Sequence, residues 1–470
     1  MKQYMLLVLI AVMTALLVAP AGAQDMPDQQ ITVNDQLSLN SRVDVAAVYS
    51  AQQGFVVIHT DGGSGPGIGQ APVAAGWTYN LRIPIDTTQA TSTLSAMLHV
   101  DDNELGVYEF GTVEGADAPV VVDGAPINPT FDVTIINAWD QFVENDTVTI
   151  TSVTSPVDGW LVIHAGDAQN AGPVLGQTQV SAGLNTDVTV ELAAEGRTEI
   201  LWPMLHEDTG EIGVYEFGTV EGADAPVFVN DAVATTPIWT VPHVRALDQL
   251  VMHGDGMEMA ETPAVTINHA LCEAQCFVVI HQEADGGPGP VAGVSESLPA
   301  GINRNITIEL DPAMVTPRLW PMLHVDDNEV GTYEFGTVEG ADAPVSAMGE
   351  VVTFPINAAP ALVMQDQALG EGDTIVIGNA LIDAPGWIAI HSDNDGEPGP
   401  VIGTALLHPG ANWNVVIEVD PAQAGSRVFP MLHYDTGELG VYEFGTVEGA
   451  DAPTFVAGNV VVAPLNLTAE

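Results

Sequence analysis

The chain has 470 residues, 62 of them acidic and only 8 basic, so its formal net charge is −54. Such a charge repels nucleic acid and anionic lipid, which excludes nucleic acid as a partner, and it draws cations to the acidic surface. A hydrophobic content of 46%, with 47 glycines and 32 prolines, excludes a disordered acidic tail and indicates a folded, turn-rich chain of several domains.

The first residues have the pattern of an export signal. Lys2 gives a short positive start, residues 5–18 are almost wholly apolar, and residues 21–23 form an Ala-Gly-Ala cleavage site. This pattern predicts a secretory signal peptide at 1–23. An N-terminal membrane anchor is the alternative, although the apolar run is short for the ~30 Å of a bilayer core. We therefore expect a secreted, extracellular or cell-surface protein with no membrane span in the mature chain.

Beyond the signal peptide, three sequence blocks recur four times in the same order. The first block is an Asp-Gln pair, the second ends in Ile-His, and the third runs from Met-Leu-His through Tyr-Glu-Phe to Ala-Asp-Ala-Pro. Successive copies of the third block begin about 110 residues apart, which is the size of a domain rather than of a solenoid turn. The repeat therefore predicts four tandem domains, at 30–122, 131–229, 238–347 and 356–457.

Each copy has the features of a β-domain. Residues 148–153 and 188–192 alternate in polarity and are rich in β-branched side chains, and glycine, proline, asparagine and aspartate interrupt such runs. This pattern predicts an all-β chain of four immunoglobulin-like β-sandwich domains, with about seven strands each, the first at Asp-Gln and the last at Tyr-Glu-Phe. An open barrel is the alternative. Proline-rich joints at 126–129, 235–242 and 355–360 predict domains arranged as beads on a semi-rigid string.

The order of the blocks resembles an uncharacterised domain family that occurs, often in tandem, in exported proteins of halophilic archaea and some bacteria. The resemblance rests on Asp-Gln, Gly-aromatic-Val-Val-Ile-His, Ala-Gly, Met-x-His-x-Asp and Tyr-Glu-Phe, and it covers all four copies. The chain departs from the family pattern with Met-Leu-His for Met-Pro-His, and with Asp-Asp-Asn-Glu at 101–104 for Asp-Thr-Asn-Gly. The resemblance implies a β-domain and export, and it supplies no catalytic residue.

Each copy carries one histidine at the end of the Ile-His strand and another at the end of the Met-Leu-His strand. Because imidazole is a common ligand of zinc and copper, a transition-metal site in each domain is one hypothesis. Antiparallel pairing of the two strands predicts an offset of four residues, about 13 Å, which favours separate histidines bonded to turn carbonyls or carboxylates. The pairs are His59 with His99, His164 with His206, His281 with His324, and His391 with His433.

Acidic loops form a second candidate site. Calcium binds six to eight oxygen ligands, and clustered loop carboxylates can supply them. Calcium is therefore the one cofactor that these loops suggest, although no copy has the EF-hand pattern and solvated acidic turns are the alternative. The candidate ligands are Asp101, Asp102, Glu104 and Glu109 in the first copy, and Asp393, Asp395 and Glu397 in the fourth.

The third copy holds the two cysteines of the chain, Cys272 and Cys276. Their spacing lets them face each other across a hairpin, and an exported protein meets an oxidising environment, so we expect a disulfide. A zinc site with His269 and His281 is the alternative. Odd sequence offsets place each of these histidines on the opposite strand face from its neighbouring cysteine, which argues against zinc.

The chain lacks the motifs of a nucleophile elbow, a zinc protease and a phosphate-binding loop, so we expect no catalysis. Two functions stay open. The first is a non-catalytic secreted or cell-surface repeat protein with an adhesive, matrix or spacer role and an unidentified extracellular partner. The second is an array that binds calcium, a transition metal or carbohydrate in each domain. Ligand distance between His59 and His99 would favour the second function.

Overall fold

The computed structural model describes residues 28–39, 41–230, 232–255, 262–370 and 372–468; the signal peptide expected at 1–23 lies outside the described residues. In this part of the chain, helical structure is confined to α1 (Pro421–Ala424) and to 3₁₀ turns at Asp61–Gly63 and Pro312–Met314. No helix among the described residues is long and apolar enough to cross a membrane.

The strands are numbered β1 to β36 in chain order. The first domain contains β1 (Gln30–Thr32), β2 (Gln36–Leu39), β3 (Arg42–Ser50), β4 (Gly54–His59), β5 (Gly67–Val73), β6 (Gly76–Pro84), β7 (Thr93–Val100), β8 (Val121–Val122), β9 (Ala125–Pro126) and the start of β10 (Thr130–Asn137). The second adds β11 (Thr147–Ser155), β12 (Gly159–Gly166), β13 (Ala171–Val180), β14 (Gly183–Glu191), β15 (Ile200–Glu207), β16 (Phe228–Val229), β17 (Ala232–Val233) and β18 (Ile238–Trp239). The third adds β19 (His243–Arg245), β20 (Ala264–Cys272), β21 (Cys276–Ala284), β22 (Gly287–Val294), β23 (Gly301–Glu309), β24 (Arg318–Val325), β25 (Ser346–Ala347), β26 (Glu350–Val351) and β27 (Ile356–Asn357). The fourth adds β28 (Ala361–Val363), β29 (Thr374–Ile382), β30 (Gly386–Asn394), β31 (Glu397–Leu407), β32 (Gly410–Glu418), β33 (Arg427–Tyr434), β34 (Phe455–Val456), β35 (Asn459–Val460) and β36 (Leu465–Asn466).

Each domain is a sandwich of a three-stranded and a four-stranded antiparallel sheet. In the third domain β19-β20-β23 faces β22-β21-β24-β27, and the fourth domain repeats this order with β28-β29-β32 and β31-β30-β33-β36. In the first two domains β10 joins a sheet of each domain into one seven-stranded sheet, where β2 also pairs with β10 in parallel. Alternate side chains of the two sheets meet in one core, where Val265 and Ile267 of β20 pack with Val278 and Ile280 of β21. Seven strands in two facing sheets confirm the predicted immunoglobulin-like sandwich rather than an open barrel.

The Asp-Gln pair follows β10, β19 and β28 instead of forming the first strand of those domains, contrary to the prediction. Gln249 takes the place of a strand residue, because its side-chain amide accepts from the N–H of Thr266 at 2.8 Å and donates to the carbonyl of Thr266 at 3.0 Å. Asp248 accepts from the N–H of Asn357 at 2.8 Å. The pair therefore ties the three-stranded sheet to the last strand. Corresponding glutamine bonds occur at Gln36, Gln141 and Gln367.

The sequence also predicts that the Tyr-Glu-Phe segment forms the seventh strand, and this prediction is wrong. In the first domain it lies in a loop after β7, and the seventh strand is β10. The N–H of Glu109 donates to the carboxylate of Asp117 rather than to a strand, and Asn103, Gly106 and Asp117 have positive φ. Side-chain acceptors and left-handed turns thus replace the β-ladder. We call residues 101–120, 208–227, 326–345 and 435–454 the repeat loops.

The domains do not lie as separate beads, contrary to the prediction from the proline-rich joints. β10 is shared by two domains, since its first residues pair with β7 and its last with β11. Buried polar groups seal this joint, where Asn137 Nδ2 donates to Thr87 Oγ1 at 2.7 Å. Arg82 of the first domain lies 4.3 Å from the ring centroid of Trp413 in the fourth. The chain therefore folds back until its first and fourth domains meet.

Candidate functional site

The two repeated histidines of each domain lie side by side on the four-stranded sheet. In the first domain His59 pairs with Ser95 and His99 with Phe55, which is the predicted offset of four residues. The rings nevertheless stack with their centroids 6.0 Å apart, so the expected separation of about 13 Å is wrong for the side chains. Both side chains leave the same face and lean toward each other along the strands. The ring separations in the other domains are 5.5, 5.7 and 5.7 Å.

One nitrogen of every ring is bonded to a backbone carbonyl. His99 Nδ1 donates to the carbonyl of Asp117 in the repeat loop at 2.7 Å, and His59 Nδ1 donates to that of Gly65 at 3.1 Å. Because a carbonyl can only accept, the proton of each neutral ring sits on Nδ1, and Nε2 keeps a free lone pair. Equivalent carbonyl bonds hold His164, His206, His281, His324, His391 and His433.

Among the described residues, the Nε2 atoms of a pair have no hydrogen-bond partner outside the pair. His164 Nε2 and His206 Nε2 lie 3.4 Å apart. In the first, third and fourth domains, every Nε2 of these pairs is buried and lacks a hydrogen-bond partner among the described residues. Two facing lone pairs repel each other unless a cation lies between them. Two nitrogen ligands about 2.05 Å from one metal ion would be separated by about 3.3 Å at a tetrahedral angle and by about 3.6 Å at a trigonal angle.

Burial favours the neutral form of several of these rings. It lowers the pKa of His206 and His433 to about 4, and the carbonyl bonds offset it only in part. Burial also lowers the pKa of His164 and His281. Neutral imidazole is the form that binds a metal ion, so both rings of the second and third pairs are in the binding form at pH 7.

Aromatic side chains of the repeat loop cover the pair. The ring of Tyr108 meets those of Phe55 and His99 edge-on at 5.3 and 5.4 Å, and the ring of Phe110 meets His99 at 4.9 Å. Met97 lies two residues before His99 on the same strand face and is 8% exposed. The best-kept block of the repeat therefore forms the cover of the histidine pair, and a thioether lies on the strand face between the two histidines.

The carboxylates of the repeat loop hold backbone N–H groups. Asp101 accepts from one loop N–H with both of its oxygens at 3.0 and 2.9 Å, and Asp102 accepts from another at 2.9 Å. Glu109 accepts from the N–H of Glu104 at 3.1 Å. Within the described ranges, no three of these acids bring ligand atoms within 4.8 Å of one another. The loop acids thus shape the turn, and calcium binding by them stays a prediction.

The acidic residues predicted in the fourth domain form the hairpin between β30 and β31. Asp393 pairs with Arg427 at 2.8 Å and accepts from the N–H of Gly396 at 2.7 Å. Asp395 has the positive φ of the turn, and Glu397 begins β31. Asp393 therefore stabilises the hairpin through its ion pair and its hydrogen bond. Calcium binding at this hairpin also stays a prediction.

Cys272 and Cys276 form a disulfide across the turn between β20 and β21, with their Cα atoms 6.1 Å apart. The neighbouring histidines have other partners. His281 belongs to the pair with His324, and His269 bonds to an acid of the second domain. The cysteines and histidines of the third domain therefore do not share a site in this structure.

A cluster that the sequence analysis missed joins the second and third domains. Asp140 Oδ2 accepts from His243 Nδ1 at 2.6 Å and from His269 Nε2 at 2.7 Å. Burial alone would raise the pKa of Asp140, but the two histidine bonds outweigh burial and hold this pKa well below its usual range. In the described ranges, this is the one set of three metal-ligand side chains within 4.8 Å. One signal in the sequence could have indicated this cluster, namely a residue that differs between copies. Ser152 and Asn379 occupy the position of His269 in the second and fourth copies.

The two rings already donate to one carboxylate oxygen in this cluster. The three groups could ligate a metal ion, but each would then give up its present bond. The hydrogen bonds instead complete a buried, charge-assisted contact between domains. In this structure the cluster therefore stabilises the contact between the second and third domains.

Solved structures of several multidomain proteins align with this chain at low identity and low TM-score. Native E. coli alpha-2-macroglobulin aligns at 12% identity and a TM-score of 0.17, over 95% of this chain and 30% of that one. The BSP domain of a biofilm associated protein aligns at 10% identity and a TM-score of 0.19, over 94% and 95% of the two chains. The eight N-terminal immunoglobulin domains of Down syndrome cell adhesion molecule align at 9% identity and 0.19, over 93% and 53%. Among curated proteins, none matches the sequence significantly.

One family model matches four consecutive segments of the sequence, at 29–134, 135–238, 256–358 and 360–468. Each segment contains one histidine pair and one repeat loop, so the matched unit is the domain that carries the candidate site. The family description states no activity, and any function must therefore be argued from the residues. With nearly its whole length matched, the chain belongs to the family described as Domain of unknown function (DUF7282).

Proposed function

We propose that this is an exported, non-catalytic metal-binding protein of the cell surface or extracellular space, in which each domain holds one Cu(I) ion between its two repeated histidines. The observation that carries the proposal is the opposed pair of Nε2 atoms, 3.4 Å apart in the second domain. A buried acceptor without a partner costs on the order of 1–3 kcal/mol. One bound cation would satisfy both acceptors of a domain at once.

The donor set favours a soft ion with few ligands. Within the described residues, no histidine, cysteine or carboxylate completes a set of three mutually close ligand atoms, all within 4.8 Å of one another, with any of these pairs. Structural zinc sites use four protein ligands, whereas a thioether beside imidazole favours Cu(I). A methionine occupies the same place in every domain, two residues before the second histidine. These methionines are Met97, Met204, Met322 and Met431, which are 8, 8, 6 and 7% exposed.

The buried histidine pairs and the packing of the domains favour a metal-binding role over an adhesive, matrix or spacer role. An adhesive, matrix or spacer role needs no buried histidine pair in each domain. The contact between Arg82 and Trp413 brings the first and fourth domains together, which shortens the chain as a spacer. Four equivalent sites on one chain instead suggest a protein that collects several ions of one kind.

Titration of the purified full chain with Cu(I), under reducing conditions and against a chromophoric Cu(I) chelator, tests the proposal. We expect four equivalents in the native chain and three in His206→Gln. His408→Gln is the matched control, because His408 lies outside the pairs and bonds to a neighbouring carbonyl; it should retain four. Undiminished binding by His206→Gln, or no binding of Cu(I), would overturn the proposal. Four zinc equivalents without Cu(I) binding would reject the assigned ion.

Export is tested by N-terminal sequencing of the protein recovered from the culture medium or the cell surface. The expected cleavage after residue 23 predicts a mature chain that begins at Gln24. Recovery of the chain only from the cytoplasm, with Lys2 still present, would contradict export without affecting the metal titration.

A further inference from the structure

A cavity of about 540 Å³ lies where the four domains meet. Four of the seven arginines of the chain face this cavity, although the chain has 62 acidic residues. The first and third domains provide the arginines, and the second and fourth provide tryptophans. The residues concerned are Arg42, Arg82, Arg245, Arg304, Trp139 and Trp413.

Most of this positive charge has no acidic partner. Arg82 pairs with Asp44 at 3.3 Å. In the part of the chain that the structure describes, the other three guanidinium groups form no ion pair. The acid in the cavity wall is Asp248, whose carboxylate accepts from two asparagine side chains at 3.1 Å each. The wall therefore presents more positive than negative charge to the cavity.

Like charges from different domains lie close together there. Burial lowers the pKa of Arg42, and although Asp44 raises it, the charge of Arg245 lowers it further. Burial, with the charge of Arg42, lowers the pKa of Arg82 to about 10. Lowering means that the surroundings disfavour the charged form, yet both groups remain protonated at pH 7. Closure of the domains thus brings together positive charges that an anion would relieve.

Two tryptophans fix the orientation of two of these four guanidinium groups. Arg304 lies 4.0 Å from the ring centroid of Trp139, and Arg82 lies 4.3 Å from that of Trp413. Both stacks join different domains. Stacking covers the face of a guanidinium group and leaves its N–H edge available to an acceptor. These two arginines of the cavity are therefore preorganised by the protein itself, which lowers the entropic cost of binding.

We propose that this cavity binds a small multivalent oxyanion, a phosphate, sulfate or polycarboxylate compound, through Arg42, Arg245 and Arg304. The forked donors of arginine match such oxygens in pairs. The volume lies within the range of small-ligand sites. Because the wall comes from all four domains, the anion would also stabilise their closed arrangement. The site is distinct from the histidine pairs and does not depend on metal binding.

Calorimetric titration of the full chain with pyrophosphate, sulfate and citrate, at constant ionic strength, tests the site. We expect one equivalent of at least one of these anions to bind, and the anion that binds most tightly to identify the chemical class. Binding should be at least tenfold weaker in Arg42→Gln and Arg245→Gln. Arg197→Gln is the matched control, because Arg197 pairs with Asp146 at 2.9 Å outside the cavity; it should bind as the native chain does.

Three results would overturn the proposal: no saturable binding of any of the three anions, native affinity in Arg42→Gln and Arg245→Gln, or an equal loss in Arg197→Gln. If a glutamine variant fails to fold, Arg245→Lys keeps the charge and removes the fork. That variant should fold, as shown by its circular dichroism spectrum, and bind more weakly than the native chain. Native affinity in Arg245→Lys would likewise count against the site.

Discussion

His164 and His206 face each other with their Nε2 atoms 3.4 Å apart, although they are four positions out of register on β12 and β15. Trp202 lies directly opposite His164, and Trp160 lies opposite His206. The rings approach only because both side chains lean along the strands. Their protonation and the backbone spacing beneath them should therefore affect the stability of the domain.

Acidification should weaken the domains through these rings. Burial lowers the pKa of His206 to about 4, below the ~6.5 of an unfolded chain. Because the folded state has the lower pKa, the unfolded state binds the proton first. The contribution of this residue to the free energy of unfolding is therefore complete above pH ~6.5. It falls by about 3 kcal/mol as the pH drops toward ~4. Urea unfolding at several pH values measures the loss.

His206→Gln is the control for that experiment, since it removes the titrating ring and should show a smaller acid loss in the second domain. An increase in stability between pH 7 and pH 5 would contradict the prediction. It would mean that the two Nε2 atoms share a proton in place of a metal ion.

Asp140→Ala should loosen the joint between the second and third domains. Without this carboxylate, the donors on His243 and His269 lose their acceptor in a buried place, at a cost of about 2–4 kcal/mol. Because the pKa of Asp140 is held low, its contribution is complete above the unfolded pKa of ~3.9 and disappears as the pH falls below that value. Thermal unfolding at pH 7 checks the size of the loss.

Asp366→Ala is the matched variant, because Asp366 occupies the same repeat position but accepts its hydrogen bonds from Asn466 of its own domain, at an exposed site. It should cost no more than about 1 kcal/mol. Equal destabilisation by the two variants would show that Asp140 has no special role at the joint.

Gln249→Ala should destabilise the third domain by about 1–2 kcal/mol, because it removes two hydrogen bonds to the backbone of Thr266. Gln177→Ala, at an exposed position on β13, should leave the free energy of unfolding nearly unchanged. Denaturant unfolding of both variants makes the comparison. Loss of less than a few tenths of a kcal/mol in Gln249→Ala would mean that water replaces the side-chain bonds without cost.

Gly159→Ala should separate the strands that carry the second histidine pair. A Cβ at Gly159 would lie 2.0 Å from the carbonyl oxygen of His206, so β12 must move away from β15. We expect a loss of about 2–4 kcal/mol and weaker Cu(I) binding at this domain. Gly287→Ala is the control, because a Cβ there meets no atom within 4 Å. Native stability in Gly159→Ala would contradict the strand spacing described above.

The sandwich itself could be predicted because alternation of side chains reports burial directly, as at Val265 and Ile267 of β20. The same alternation of apolar and polar residues led to a wrong prediction of a strand at Tyr-Glu-Phe. There the N–H of Glu109 donates to Asp117 eight residues later. A hydrophobic pattern does not show whether a backbone N–H will donate to a strand or to a side chain.

The geometry of the candidate sites could not be predicted from the sequence, because it depends on side-chain packing and on contacts between domains. Strand pairing gave the offset of His59 and His99 correctly, but the lean of the rings depends on the packing of the loop that covers them. The contact of Asp140 with His269 and the arginine cavity depend on how domains dock. Docking leaves no periodic pattern in a single sequence, so only residue differences between copies hinted at it.

β10 gives the first joint a mechanical property that the later joints lack. It runs unbroken over Thr130–Asn137 and pairs with a different domain at each end. At the later joints the corresponding strand is divided, into β18 and β19 and into β27 and β28. A stretching force along the chain would load the β10 hydrogen bonds of both domains together, whereas the divided strands give way locally. Under tension the protein should therefore be stiff in its first half and extensible in its second.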